Sequence, residues 1–248
     1  MGVDSGLPDF RGARGFWTAY PPLQKLGIDF YEAANAAWFD RRPRLAWGFY
    51  GHRLGLYRTT TPHAGFDILR GWAEAMPLGA RVFTSNVDGQ FQKAGFDPDT
   101  IVECHGSIHH AQCSSPCHQA IWTAEDLNIV VEMETLLAEE PIPECPRCGG
   151  IARPNILMFG DGAWIADRTG EQDVAFRAWL RSIRGCKLVV VECGAGNSVP
   201  TVRRQSEILQ SVDKATLIRI NPQDPEGPPG TISIALGAVE GLRGIQMV

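Results

Sequence analysis

Lys187-Leu188-Val189-Val190-Val191-Glu192-Cys193-Gly194-Ala195-Gly196-Asn197-Ser198 is the stretch that decides the fold of this chain. It opens as an apolar run without polar alternation, the pattern of a strand covered on both faces, as in a parallel sheet. It closes in Gly194-Ala195-Gly196-Asn197-Ser198, ahead of a helix whose start falls near Thr201. A glycine-rich turn between strand and helix lets backbone N–H groups approach a phosphate, and the helix N-terminus favours negative charge there. Four more short apolar runs read as strands of the same kind: Arg81 to Thr84, Ile101 to Cys104, Ala215 to Ile220 and Thr231 to Leu236. Helical patterns lie between them. Phe176, Leu180 and Ile183 recur at helical spacing within 171–184, and Val202, Gln205, Leu209 and Val212 do so more weakly within 201–212. The alternation predicts an α/β fold with a doubly wound parallel sheet.

Two stretches break the alternation. Residues 15–60, rich in aromatics and arginine, read as a small helical insert. Residues 111–153 carry Cys113-x3-Cys117 and Cys145-x2-Cys148, with Pro116, Pro146 and Gly149-Gly150 as turn residues. Thiols in two close pairs can close a tetrahedron around one Zn²⁺, and four thiolates leave no open position, so the expected zinc is structural.

Composition narrows the class. The chain has 248 residues, 44% of them hydrophobic, enough for one large domain plus a small one. A net charge of −5 implies no general nucleic-acid affinity. Seven cysteines, four of them in the zinc set, do not read as a secreted disulfide framework. No apolar run approaches the ~20 residues of a membrane span, and no signal peptide is visible, so a cytoplasmic location is expected.

The remaining chemistry sits at predicted strand ends and in one further loop. Gly2 to Gly12 holds three glycines and suits a phosphate loop. Thr84-Ser85-Asn86-Val87-Asp88-Gly89 puts an amide and a carboxylate where a doubly wound sheet fixes its ligand. Glu103-Cys104-His105-Gly106 ends the next strand, and His105 is the natural general base because imidazole titrates near neutrality. Asn221, before Pro222, either opens a turn or binds a ribose hydroxyl.

In this order the motifs resemble the sirtuins, the NAD-dependent protein deacylases. The matching stretches are Ser5-Gly6-Leu7-Pro8-Asp9-Phe10-Arg11-Gly12, Asn86-Val87-Asp88-Gly89, His105-Gly106, the four cysteines, Pro154 to Asp161, and Asn221. The resemblance implies a Rossmann-like NAD-binding domain (1–14, 61–110 and 154–248), a helical module (15–60) and a zinc-binding small domain (111–153). It implies NAD contacts from Asp9, Phe10, Arg11, Asn86, Asp88, Gly194, Ala195, Gly196 and Asn221, and catalytic roles for His105 and Asn86. An acylated lysine of a protein substrate would lie against Ile156 and Phe159, its backbone added as a strand. Tyr50 and Arg53 look like the Tyr-x-x-Arg pair of sirtuins that accept succinyl or malonyl groups, since a phenol and a guanidinium can bind a distal carboxylate.

The chain departs from the family pattern in four places. Ser85 stands where the family has Gln, Gly194-Ala195-Gly196 replaces Gly-Thr-Ser, and Asp161 is followed by Gly162-Ala163-Trp164 rather than Leu-Pro. The family strand and Gly-Ala-Gly turn that precede the first loop are not in the sequence, so the expectation is a natural start upstream, with Met1 internal to the loop. Two alternatives stay open: a sirtuin-like ADP-ribosyltransferase or NAD hydrolase, and an N-terminally truncated, inactive, zinc-stabilised binding protein.

Overall fold

A computed structural model describes residues 1–9 and 13–246. Helices come first: α1 (Ala13–Ala19), α2 (Pro21–Lys25), α3 (Phe30–Ala33), α4 (Trp38–Arg41) and α5 (Pro43–Thr59). Prolines open α2 and α5, where a missing N–H costs nothing. Asp29 caps α3 by accepting from the Glu32 amide at 2.8 Å. Helix α5 is buried nearly all round, with Leu45, Trp47, Phe49, Tyr50, Arg53, Leu54 and Tyr57 inside, so it serves as a central post rather than a surface helix.

After α6 (Ala64–Ala75) come β1 (Val82–Thr84), α7 (Gln90–Lys93) and β2 (Ile101–Glu103), with β1 and β2 parallel and Val82 opposite Ile101. The chain then leaves the parallel sheet at Gly106. Its φ of +75° is a conformation glycine favours, and a Cβ there would sit 2.1 Å from the Asn155 carbonyl oxygen. Beyond it run β3 (Gly106–Cys113), β4 (Trp122–Thr123), β5 (Val131–Glu132), β6 (Leu137–Ala138) and β7 (Ala152–Ile156). Strand β3 is the antiparallel centre of a β4-β3-β7 sheet, and β5 and β6 form their own antiparallel pair.

This thiol-bearing stretch and the helical stretch share one core, in which Phe16, Tyr20, Trp47 and Leu54 pack with Leu136, Ala138, Ile108 and Ile156. The Trp47 indole N–H donates to the Ala152 carbonyl at 2.9 Å. The Arg58 guanidinium donates to the carbonyls of Ala124, Leu127 and Glu125. Aromatic burial and obligatory carbonyl partners therefore weld the two stretches together.

The chain returns to parallel structure through α8 (Asp167–Ser182), β8 (Val189–Cys193), α9 (Thr201–Val212), β9 (Thr216–Ile220), β10 (Ile232–Ile234) and α10 (Ala238–Gln246). The order is β10-β9-β8, all parallel. Among the described residues β8 pairs with no strand but β9, and β1 with none but β2, so the parallel sheet is in two pieces. One apolar cluster joins them: Phe83 and Val102 meet Leu188 and Val190 around Phe176, Trp179 and Leu209.

Strand β8 begins at Val189 and runs to Cys193, two residues later than the apolar run predicts. It continues through Glu192 because Arg219, its cross-strand neighbour on β9, neutralises that carboxylate at 2.6 Å with both side chains fully buried. Nor is the run covered on both faces: Val189 is 56% exposed, on a strand at the edge of its sheet. No described helix is long and apolar enough to cross a membrane.

Candidate functional site

A cavity of about 490 Å³ opens between the ends of the parallel strands and the shared helical core. Ser85, Asn86 and Asp88 reach it from the end of β1, His105 from β2, and Cys193 and Gly194 from β8. Gly194 takes a φ of +67°, which favours glycine, and its N–H donates to the Ile220 carbonyl at 2.8 Å. Asp9 lines the cavity from the first loop, whereas Phe10 and Arg11 lie outside the described residues.

Several contacts set the local geometry. The Asn86 amide donates to Thr84 Oγ1 at 3.1 Å, and Asp88 Oδ1 accepts from the Gln90 amide at 3.0 Å, so an Asx turn holds the Asp88 side chain. Burial pushes the Asp88 carboxyl above the ordinary carboxylate range; the Gln90 amide pulls it back and Glu103 adds to the rise. The three histidines near the strand end separate cleanly. His105 lines the cavity. The His109 Nε2 bonds the Asp88 carbonyl at 3.0 Å. His110 is lowered to about 4 by burial and by the Arg168 guanidinium. Among the described residues His105 is thus the one histidine that lines the cavity.

The opposite wall is aromatic. Tyr50 and Arg53 both line the cavity and are buried, Tyr50 at 1% and Arg53 at 7% exposure. The Arg53 guanidinium lies over the rings of Phe49, Tyr50 and Tyr57, and its Nε and Nη2 donate to the Tyr57 hydroxyl at 3.0 and 2.7 Å. Burial pushes the Tyr50 phenol up to about 12, so it stays a neutral donor. Ile156 and Phe159 form the third side. Ile156 pairs with Gly106 on β3, while the outer edge of β7 has no strand partner among the described residues. Phe159 donates its N–H to the Ala34 carbonyl, in a parallel bridge with Asn35.

Away from the cavity, Sγ atoms of Cys113, Cys117, Cys145 and Cys148 all lie within 4.8 Å of one another, with Cys113–Cys148 and Cys117–Cys145 at 3.8 Å. A tetrahedral Zn²⁺ with Zn–S near 2.3 Å has sulfur edges of about 3.8 Å. Cys145 is lowered to about 6, because the amides of Cys148 and Arg147 and the His118 imidazole outweigh its burial. Cys113 is raised by burial, and Cys117, although exposed, is pushed up to about 12 by local desolvation among the crowded sulfurs and by the Cys148, Cys145 and Cys113 thiols beside it. One thiolate suppresses the others unless a metal neutralises the set.

The Sir2 family model matches residues 1–191. The chain belongs to the Sir2 family. Among curated relatives, a protein named NAD-dependent protein deacylase from Aeropyrum pernix is 28% identical over 239 residues, covering 95% of this chain and 82% of its own. NAD-dependent protein deacylase 1 of Caldanaerobacter subterraneus subsp. tengcongensis is 30% identical over 238 residues, covering 96% and 85%. A solved Sir2 homologue mutant in complex with ADP-ribose superposes with a TM-score of 0.65 at 25% identity, over 98% of this chain and 86% of that one. The fold is the Rossmann-like α/β arrangement of these neighbours, with a four-cysteine cluster suited to a zinc ribbon.

Some expected positions of this Sir2 chain stand apart from the cavity. Ala195, Gly196 and Asn221 are not among the residues that line it. The Asn221 Nδ2 donates to the Ala195 carbonyl, and its Oδ1 accepts from the Gln223 and Asp224 amides. These bonds build a turn at Asn221 and tie the loop after β9 to the loop after β8.

Two polar contacts were not among the residues singled out from sequence. Tyr57 holds Arg53 from one helical turn away, a relation that i,i+4 spacing on α5 would have flagged. Thr201 reaches His105 across 96 positions, and nothing local signals that.

Proposed function

We propose that this Sir2 chain is an NAD-dependent protein-lysine deacylase, converting acyl-lysine, NAD and one water into lysine, nicotinamide and O-acyl-ADP-ribose. The observation that carries the reading is the convergence of Asn86, Asp88 and His105 on one cavity, beside the Gly194 turn. NAD, when bound, supplies a glycosidic C–N bond that can be exchanged for a bond to the acyl oxygen. Asn86 and Asp88 hold the nicotinamide end and its ribose. His105 removes a proton from a ribose hydroxyl, which makes that oxygen a nucleophile. The backbone around Gly194 leaves room for the pyrophosphate. The Ile156 side of the cavity takes the acylated peptide as an added strand along the open edge of β7. The four cysteines hold a structural Zn²⁺. Four of the seven cysteines form the zinc set rather than a disulfide framework, which suits a reducing compartment, and a cytoplasmic location is part of this reading.

The acyl pocket supports a finer reading. A buried guanidinium stacked on three rings in the cavity wall, beside the Tyr50 phenol, suits an acyl chain ending in a carboxylate. The test is a matched pair of lysine peptides, acetylated and succinylated, assayed with NAD. The reading predicts a kcat/KM for succinyl at least about tenfold above acetyl, reversed in Arg53→Leu. Equal or better acetyl turnover, with no change in preference on Arg53→Leu, rejects the acidic-acyl assignment and leaves deacylation standing.

A further inference from the structure

His105 and Thr201 belong to different pieces of the divided sheet. His105 lies two residues past the end of β2, while Thr201 opens α9, which follows β8. No ladder joins β2 to β8 among the described residues, yet His105 Nε2 and Thr201 Oγ1 lie 3.2 Å apart. We infer that Thr201 is a positioning residue for His105, its hydroxyl holding the imidazole in the orientation and tautomer that proton transfer requires. The inference rests on the proposed role of His105 as the base.

The physical argument has three parts. An imidazole presents two nitrogens with different jobs, and a hydrogen bond to one decides what the other can do. A hydroxyl on Nε2 fixes the ring against rotation and sets which nitrogen carries the proton. Second, the hydroxyl is itself well fixed. Threonine is stiff about χ1, and Thr201 is the first residue of α9, whose entry is locked by Arg203. That guanidinium donates to the carbonyls of Ala195 at 3.1 Å, Asp224 at 3.0 Å and Glu226 at 2.5 Å. Third, among the described residues the Thr201 hydroxyl makes no other hydrogen bond, and the start of α9 has no side-chain cap drawing on it. His105 is held from a second side as well, because its carbonyl accepts from the Leu157 amide at 3.0 Å. The base is thus pinned by backbone to the thiol-bearing body and by ring to α9.

The test compares Thr201→Val, which keeps the shape and loses the hydroxyl, with Thr201→Ser, which keeps the hydroxyl, in the full chain loaded with zinc. The expected result is a kcat for acyl-peptide turnover about tenfold lower in the valine variant, with both KM values within about twofold of the parent, and most of kcat restored in the serine variant. The ¹⁵N signals of the His105 ring should report a changed tautomer population in Thr201→Val and a parent-like one in Thr201→Ser. An unchanged kcat with unchanged ring signals in the valine variant, or a serine variant no better than valine, overturns the inference. His105→Ala, assayed beside them, separates the two readings. If it is inactive while Thr201→Val is normal, only the positioning role fails. If it is fully active, the role of His105 as base fails with it.

Discussion

The thiol-bearing body and the parallel sheet are built on opposite principles. In the first, four sulfurs within 4.8 Å of one another, the β3–β7 ladder and the Trp47 anchor close a small structure on itself. In the second, strands that read as interior lie in two pieces, joined by an apolar cluster and by side-chain bonds such as His105–Thr201. The contrast teaches that the catalytic candidates sit on the less self-sufficient half. Their geometry depends on helices and loops reaching across the divide.

The largest expected effect falls on the closed body. Structural zinc in small modules is worth about 10–16 kcal/mol, so a strong chelator should unfold this one and, through Trp47, loosen α5 as well. Tryptophan fluorescence and circular dichroism during chelation read this directly; a protein that loses zinc yet keeps both signals would mean the shared core stands without the metal.

The next largest falls on the buried pair inside the sheet. Arg219→Met leaves Glu192 buried without its cation and should cost about 3–5 kcal/mol in a urea titration, while Arg219→Met combined with Glu192→Leu should recover most of it. A single variant as stable as the parent would show that the pair does not hold β8 to β9.

A smaller comparison probes the open edge itself. Val189 is 56% exposed on β8 and Val102 is 2% exposed on β2. Val102→Thr should cost about 1–3 kcal/mol by burying a hydroxyl, and Val189→Thr within about 0.5 kcal/mol. Equal costs would mean that β8 is covered in solution.

The smallest effect is a pH dependence. The Asp88 carboxyl is raised by burial, so its charge is lost on the acid side at a higher pH than for an ordinary aspartate. KM for NAD should be flat above that raised pKa and climb toward about tenfold per pH unit below it, with a flat profile in Asp88→Asn. The same climb in the asparagine variant would assign it to another group.

Much of this was legible from local pattern. The zinc set shows because its four ligands fall in two close pairs, and the parallel strands because short apolar runs alternate with helical patterns. The far end of β8 was not legible, since a glutamate reads as a strand terminator until Arg219 is placed opposite it. Asn221 kept two readings because its bonds to Ala195, Gln223 and Asp224 depend on how two loops meet. Thr201 was visible only as a helix start, because its partner is 96 positions away.

The most direct test of the central proposal is stoichiometry. With NAD and an acylated lysine peptide, nicotinamide release, peptide deacylation and O-acyl-ADP-ribose formation should match one for one, and all three should disappear in a folded, zinc-loaded His105→Ala variant. Nicotinamide release without peptide turnover, or deacylation that survives the loss of the imidazole, would contradict it.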